Sequence, residues 1–454
     1  PQSIIVTCDD EGTNVAVEVW VIDAAGNEDF CTAYVNVQAN LEGCDGNVPT
    51  TATIAGILAT EEQFGIEDAI VELSVSLGNG QSNLIGQTDA TGSILFPSAA
   101  PMSYNYTLTP TKDDNPLNGV STYDLVLIAK HILGLEPLTT PYKMIAADAN
   151  RSGSITSFDI VEFRKLILGI YDELPNNTSW RFVDKSYSFP NPANPFPTFP
   201  ENISVLNVQA DQLDEDFVGV KIGDVNGTVI ANSLQSVEDR TAATMLFDVQ
   251  DRTVKAGEVF TVHFKGAEKV QGYQFTMNFN GLEVQDITPG ENMKLDNFGV
   301  FADAITTSVD GAANEFAVTF RATKAGQISN MLGVSSRITK AEGYSLTNDR
   351  LAIAFRFNNG NTSTISGVGF ELYQNQPNPF VNKTFIGFHL PEAANATLRI
   401  FDETGRMVFT QNGEFAKGYN TFAIDRQLIM TTGVLYYTLE TATDSATKKM
   451  IQSK

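Results

Sequence analysis

Basic residues are scarce: 29 Lys plus Arg stand against 54 Asp plus Glu, a formal net charge of -25 over 454 residues, with a pI near 4.4. Such a chain repels phosphate backbones and anionic lipid, which argues against nucleic-acid and membrane-surface partners. Divalent cations are its natural counter-ligand. No apolar run approaches the about 18 residues of a spanning helix, so the chain is read as not membrane-spanning. The only histidines, His131, His263 and His389, fall far apart, and no G-x-S-x-G elbow, P-loop or H-E-x-x-H occurs. Acidic pairs abound, as this composition requires, and counting them does not separate a glycosidase dyad from a solvated face. No catalytic residue is assigned, and the chain is read as non-enzymatic.

Cysteine is nearly absent beyond the first tenth of the chain, where Cys8, Cys31 and Cys44 lie. The clustering suits one disulfide in an oxidising compartment, with the odd thiol pairing upstream or free and the connectivity open. The opening "PQSIIVTCDD" lacks both a starting Met and the basic-then-apolar profile of a secretory signal. The expectation is therefore the carboxyl-terminal part of a longer precursor, with its export signal upstream of Pro1.

What is present is mostly apolar/polar alternation broken by Gly, Asn and Asp turns, the pattern of stacked β-sandwiches, in a chain long enough for about three to five modules. Residues 1–46 include "VAVEVWVIDAAGNEDFCTAYVNVQ" and resemble the end of an immunoglobulin-like repeat of the hyalin type. Residues 47–112, with "ATIAGILAT", "AIVELSVSL" and "YNYTLTP", resemble a prealbumin-like or carboxypeptidase-regulatory-like sandwich.

After Lys112 the pattern changes. "GVSTYDLVLIAKHILG" and "SITSFDIVEFRKLILG" share one register: Val120 aligns with Ile155, Ser121 with Thr156, Asp124 with Asp159, Lys130 with Lys165, Ile132 with Ile167 and Gly134 with Gly169, a shift of 35 residues throughout. The unit is a duplicated loop and helix. Leu125, Ile128, Ala129, Ile132 and Leu133, and again Ile160, Phe163 and Ile167, recur at helical spacing and predict two helices facing each other. Gly134 and Gly169 fit left-handed caps.

This duplication resembles the dockerin module, a small calcium-binding domain that recognises cohesins. The resemblance places Asp148, Asn150, Ser152, the Ser154 carbonyl, Thr156 (through water) and Asp159 as ligands of a Ca2+ ion, with Gly153 at the sharp turn; alternating oxygens closed by a first-turn carboxylate suit a hard cation. The alternative is a polar loop in which Thr156 and Asp159 form a capping box. In the weaker first loop, "DDNPLNGVSTYD", Asp113, Asn115, Asn118 and Asp124 are the candidate ligands, although Leu117 stands where an acid or amide is expected. The distant "GDVNG" offers Asp224 and Asn226 to this same site if a strand returns; otherwise it is an Asn-Gly turn. Where dockerins carry small hydroxyl residues for cohesin recognition, this chain has Thr122 with Tyr123 and Ser157 with Phe158. The aromatic replacements point instead to packing against a neighbouring module. The dockerin-like region, with its insertion, is drawn at 113–235.

"WRFVDKSYSFPNPANPFPTFPENI" is too rich in proline for a helix or a central strand and is expected to drape over a surface; its aromatics either stack on sugars or, more ordinarily, pack. Residues 241–360 alternate again, and "KAGEVFTVHF", "GYQFTMNFNGLEVQDI" and "DNFGVF" in this order resemble the cohesin jelly roll. Dockerin-like and cohesin-like modules in one molecule can meet within the chain or between chains.

Residues 368–454 carry the most specific signal. "LYQNQPNPFVNKTFIGFHLPEAANATLRIFDETGRMVFT", "AKGYNTFAID", "TTGVLYYTLET" and "ATKKMIQSK" resemble the carboxyl-terminal sorting domain of Bacteroidetes type IX secretion cargo. Asn375, Pro377, Asn378, Pro379 and Phe380 match its opening motif, Gly405 and Arg406 its central turn, Gly433 and Tyr436 the penultimate strand, and Lys448 and Lys449 the basic end. The resemblance implies export through the periplasm to the outer surface or medium, with the type IX translocon and its outer-membrane shuttle protein as partners. A plain fibronectin-like terminal domain is the alternative. The whole reads as a mainly β multidomain chain: tandem immunoglobulin-like, prealbumin-like and cohesin-like sandwiches with one small α-helical dockerin-like calcium module. Two roles are open: a secreted or surface structural protein or adhesin, or the accessory end of a polysaccharide- or protein-degrading hydrolase whose catalytic domain lies upstream.

Overall fold

The computed structural model describes residues 14–22, 28–36 and 51–453, apart from 78–79, 197, 233, 236–240, 361, 368, 392 and 430. Strands Asn14–Ile22 and Glu28–Asn36 form an antiparallel hairpin with Trp20 opposite Phe30. Cys8 and Cys44 lie outside the described residues, and the disulfide expectation with them.

The first complete sandwich packs two four-stranded sheets. One runs in the order Ser93–Pro101, Thr51–Ala59, Phe217–Lys221, Trp180–Asp184, and the other Gly80–Gln87, Ile70–Leu77, Asn105–Thr111, Ile203–Val205. Alternation decides which side chains turn inward: along Thr51–Ala59 every second residue is buried, and Ile54, Leu58, Val71, Leu73, Phe96 and Leu108 meet in the core. Three of the eight strands come from beyond the helices. This corrects the boundary expected at 112/113, because the sandwich and the helical unit are interleaved in sequence.

It also corrects the reading of the proline-rich segment. Trp180–Asp184 is a strand, and its partner Phe217–Lys221 is central and buried along its length. Phe217 faces the sandwich core, while Val220 and Ile222 join Val183 in the core of the helical unit. A strand covered on both faces loses alternation, which hid it in the sequence. Only the stretch after it drapes as expected. There the aromatics pack on one another, Tyr187 and Tyr142 meeting Phe189 at ring distances of 5.1 and 5.7 Å.

The helical unit holds α1 (Thr122–Ile132), α2 (Pro141–Ala147) and α3 (Ser157–Ile167). Leu125 and Ile128 of α1 meet Ile160, Phe163 and Ile167 of α3, while Ile132 and Leu133, expected on this face, are 39 % and 70 % exposed. Gly134 and Gly169 take φ of +69° and +70° after the helices, the expected left-handed caps.

A larger sandwich follows, its strands rolled in the order Leu282–Pro289, Glu315–Ala322, Val259–Gly266, Thr241–Gln250, Arg350–Asn358, Glu342–Ser345, Val270–Phe279, Ala304–Val309, Phe298–Val300. Phe247, Phe264, Tyr273, Phe275, Phe316 and Phe355 fill its core. The last module packs Glu371–Leu372, Lys383–Leu390 and Gly418–Asp425 against a sheet ordered Met407–Phe415, Ala394–Asp402, Gly433–Glu440, Ser445–Gln452.

Candidate metal centre and sorting domain

Residues 148–159 curl into α3 around two buried carboxylates. Asp148 accepts the backbone N–H groups of Ser152 (2.9 Å) and Gly153 (2.8 Å). Asp159 accepts from Asn150 N–H (3.4 Å) with one oxygen, and with the other from Thr156 N–H (2.8 Å) and Thr156 Oγ1 (3.1 Å). Ser152 Oγ reaches the Ser154 carbonyl (3.3 Å). Gly153, at φ +76°, makes the turn.

The first site repeats the frame of this pattern on two pieces of chain, with further bonds from Gly227 N–H to Asp224 (2.8 Å) and Val225 N–H to Asp124 (2.9 Å) and with no counterpart to the bond from Ser152 N–H to Asn150 Oδ1 (3.0 Å). Asp224 accepts from Thr228 N–H (3.0 Å) and Val229 N–H (2.7 Å). Asp124, in α1, accepts from Asn226 N–H (3.2 Å), Ser121 N–H (2.9 Å) and Ser121 Oγ (2.9 Å). Thr228 Oγ1 reaches the Gly119 carbonyl (3.1 Å). Residues 224–229 thus stand as 148–153 do, and 119–124 as 154–159. The loop is split: its first half returns from beyond the sandwich strands and its second half leads into α1.

The structure therefore brings Asp124, Asp224 and Asn226 together and takes Asp113, Asn115 and Asn118 away. Asp113 accepts from Ser179 N–H at 2.7 Å. Asn118 clasps Ile230, accepting from its N–H (3.1 Å) and donating to its carbonyl (2.8 Å). Asn115 turns the chain at φ +43°. These residues tie the two limbs together instead of facing the centre. Sequence reading missed Thr228, Ser121 and the Gly119 carbonyl, which hold the places of Ser152, Thr156 and the Ser154 carbonyl. The continuing D-x-N-x-T spacing of "DVNGT" was the available signal.

Burial makes Asp124, Asp224 and Asp159 costly to ionise. Burial, followed by the charge of Asp224, pushes Asp124 well above the usual carboxylate range, and burial raises Asp224 and Asp159 as well. Behind the split loop Lys221 is buried, donating to the carbonyls of Pro116 (2.7 Å) and Ile222 (3.2 Å); burial pushes its amine down to about 8, against the pull of Asp224. Asn226 Oδ1 is buried with no hydrogen-bond partner. Among the described residues no three His, Cys, Asp or Glu converge. Each loop offers two carboxylates and a remainder of amide, hydroxyl and carbonyl oxygen, a donor set that fits a hard cation such as calcium and disfavours zinc.

Gly119 reports on the split geometry. At φ +79° a Cβ there would lie 2.8 Å from Asp224 Oδ2 and from Val229 backbone atoms, whereas Gly134, also at positive φ, has open space around it. Gly119→Ala is expected to destabilise the chain by about 2–3 kcal/mol, combining left-handed strain with the clash, and Gly134→Ala by about 1 kcal/mol. Denaturant midpoints of the two variants check this ordering.

The split loop's helix also meets the large sandwich. Thr122 N–H donates to Gln274 Oε1 (2.6 Å), Thr122 Oγ1 pairs with Ser308 Oγ (2.7 Å), and the Tyr123 ring lies 5.1 Å from that of Tyr344. From α3, Arg164 reaches Asp310 (2.5 Å), and the Ile167 and Leu168 carbonyls accept from Thr339 (2.7 Å) and Thr306 (2.8 Å). Tyr123 thus packs on a neighbouring module as expected, while Phe158 stays 72 % exposed.

In the last module Asn375 is buried. Its Nδ2 donates to the Pro377 carbonyl and Thr384 Oγ1, both at 2.9 Å, and its N–H to the Tyr437 hydroxyl, also at 2.9 Å. Tyr437 Oη donates on to the Tyr373 carbonyl (2.8 Å); sequence reading missed this tyrosine beside the exposed Tyr436. Pro377 and Pro379 follow cis peptide bonds. Asn378 Oδ1 accepts from Ile451 N–H at 2.8 Å, and Phe380 is buried. Gly405, at φ +81°, and Arg406 close on Asp402, whose carboxyl is pulled down to about 2 by its bonds to Thr404 and Arg406. Gly433, at φ +113°, opens its strand. Lys448 and Lys449 lie on the terminal strand opposite Tyr437 and Tyr436.

Residues 375–453 match the model of the secretion system C-terminal sorting domain. The chain thus carries a sorting domain and is type IX secretion cargo, addressed to the cell surface or the medium. Among the described residues no helix is long and apolar enough to cross a membrane. No curated protein matches the chain. Similar solved structures include a non-cellulosomal cohesin from the archaeon Archaeoglobus fulgidus (17 % identity, 28 % of this chain and 92 % of that one, TM-score 0.19) and a type I cohesin-dockerin complex from Clostridium thermocellum (10 %, 29 % and 98 %, TM-score 0.20). Dimeric latent PorU from Porphyromonas gingivalis is a further one (9 %, 90 % and 33 %, TM-score 0.19). At these TM-scores the similarities are recorded without bearing on function.

Proposed function

We propose that this chain is a non-enzymatic secreted or surface protein, structural or adhesive, whose helical unit binds two calcium ions and thereby fixes the geometry between its sandwiches. Asp148, Asn150, Ser152, the Ser154 carbonyl, Thr156 and Asp159 would hold one ion; Asp224, Asn226, Thr228, the Gly119 carbonyl, Ser121 and Asp124 the other. The observation that carries this reading is the shared frame of the continuous and split loops, in which Asp148 and Asp224 each gather the N–H groups four and five residues further on. A duplicated unit whose one loop has since been divided between two distant pieces of chain has no reason to keep a buried polar turn unless the turn has a use. The orphaned Asn226 Oδ1 and the mutually repelling Asp124 and Asp224 support a cation at the split loop.

A capping box alone accounts for Thr156 with Asp159, but not for Asp148 gathering two N–H groups beside a second buried acid. The ion's part is mechanical, since it crosslinks chain segments and holds no reacting group. Isothermal titration of the full chain with calcium is expected to give two sites per molecule. Asp148→Asn and Asp224→Asn should each remove one, and no heat of binding at millimolar calcium would overturn the reading.

A further inference from the structure

We infer that the cavity between the large sandwich and the sorting domain is a binding site for a small hydroxylated carboxylic acid, a sugar acid of about one ring, taken either free or as the end of an acidic polysaccharide. The floor of the cavity is the outer face of two neighbouring strands. Along Arg350–Asn358, Leu351, Ile353, Phe355 and Phe357 turn into the core, which leaves Arg350, Ala352 and Ala354 on the outer side, with Thr244 beside Ala352 on the parallel strand. The outer faces of sandwiches usually carry solvated polar side chains. Here most are small, and Gly367 of the adjoining strand lies opposite Ala354. The sorting domain closes the hollow with His389, Pro391, Lys417 and Gly418, and the space enclosed is about 260 Å³. That is a little below the about 300–1,000 Å³ of sites for drug-sized ligands, and suits one molecule of monosaccharide size. The walls are tied together: Glu371 of the sorting domain accepts from Ser335 Oγ (3.0 Å) and Ser336 N–H (3.3 Å) of the sandwich, and His389 Nδ1 donates to the Gly369 carbonyl (2.9 Å).

Two features of the lining define the ligand. In a chain of net charge -25, the cations Lys340, Arg350 and Lys417 stand around this cavity against one carboxylate, Glu342. Acids elsewhere on the surface are screened within about 8–10 Å, so an entering anion meets local positive charge. Glu342 is only 6 % exposed. Its Oε1 accepts from the Tyr344 hydroxyl (2.6 Å), and Lys340 Nζ and Arg350 Nε stand 3.3 and 3.9 Å from its Oε2, yet Oε2 has no hydrogen-bond partner. An acceptor so buried calls for a donor. A ligand with a carboxylate for Lys417 and a hydroxyl for Glu342 Oε2 meets both requirements; a neutral sugar or a bare anion meets one. Ala341, Ile365 and Pro391 add apolar wall for the C–H face of a ring. Because Lys417 belongs to the sorting domain and Glu342 to the sandwich, the bound acid bridges the two modules.

Isothermal titration of the full chain with galacturonate is expected to give one site with a dissociation constant of about 1 mM or tighter. Galactose, which lacks the carboxylate, and acetate, which lacks the hydroxyls, should each bind about tenfold more weakly or worse. Lys417→Glu, at an exposed residue of the rim, and Ala352→Met, which fills the hollow without changing charge, should each weaken galacturonate by about tenfold or more. Lys255→Glu, an equal charge change at an exposed residue outside the cavity, should alter it by less than about threefold. Unchanged melting of the ligand-free variants shows that misfolding is not the cause. Trigalacturonate separates the two sources: tighter binding than the monomer assigns a polysaccharide end, and weaker binding the free acid. No heat with galacturonate at about 10 mM, or equal affinity for galactose or acetate, overturns the sugar-acid reading, and full affinity in both Lys417→Glu and Ala352→Met overturns the cavity as the site.

Discussion

In millimolar calcium the body formed by residues 51–235 is expected to unfold about 5–10 °C higher than in chelator. A ligand at about 100 times its dissociation constant stabilises the native state by about 2.7 kcal/mol, and a body of about 150–250 residues shifts by about 2–4 °C per kcal/mol. Because strands Trp180–Asp184 and Phe217–Lys221 belong to both cores, the sandwich and helices should melt together. Asp124→Asn should cost more in calcium than in chelator. In calcium it removes a ligand and lowers the transition. In chelator the loss is smaller, because removal of a buried charge repelled by Asp224 offsets part of the cost of turning one accepting oxygen into a donor.

Protons should replace the cation in part. The folded chain holds the Asp124 proton to higher pH than the unfolded chain does. In chelator, stability is therefore greatest near and below the ordinary carboxylate range and is lost as pH rises through the raised folded value. In calcium, protons compete with the ion and the trend flattens or reverses. Differential scanning calorimetry at pH 5 and pH 7.5, with and without calcium, checks all four corners. Equal transitions in calcium and chelator would sink the proposal.

How much of this was legible depended on whether the partner of a residue lies nearby in sequence. The continuous loop, its helix and its cap could be read directly, because Asp148 to Gly169 is one uninterrupted piece whose duplicate confirms the register. The sandwiches were legible as alternation. The split loop was only half visible. "GDVNG" showed its oxygens, but nothing local in 119–124 says that residues a hundred positions away complete it, and Asp113 and Asn118 stood at ligand spacing in the wrong limb. Phe217–Lys221 was invisible for a related reason: a strand between two cores has no polar face, so its period vanishes. The docking of α1 on the sandwich depends on hydroxyls and a Gln274 amide, and such residues look like ordinary surface in a sequence.

Phe380→Ala is expected to abolish export while leaving the rest of the chain folded. Phe380 is 1 % exposed, in a core with Leu372, Ile386 and Met450. Truncating a buried phenylalanine costs about 3–5 kcal/mol, a large share of the 5–15 kcal/mol that holds a typical domain. The position also secures the terminal strand: Phe380 N–H donates to the Ile451 carbonyl (3.0 Å), and its own carbonyl accepts from Ser453 N–H (2.8 Å). Loss of the ring loosens the anchor of Ser445–Gln452, and with it the placement of Lys448 and Lys449. Phe380→Leu keeps most of the apolar volume and should restore much of the export. Tyr436→Ala, at a residue 42 % exposed, should change stability by less than about 0.5 kcal/mol, so any export defect there reports contact with the machinery. Fractionation of the producing cells into periplasm, surface and medium separates these cases. If Phe380→Ala melts the domain and the chain still reaches the surface, the signal is read as a linear peptide; if export follows stability across Phe, Leu and Ala, it is read as a folded shape.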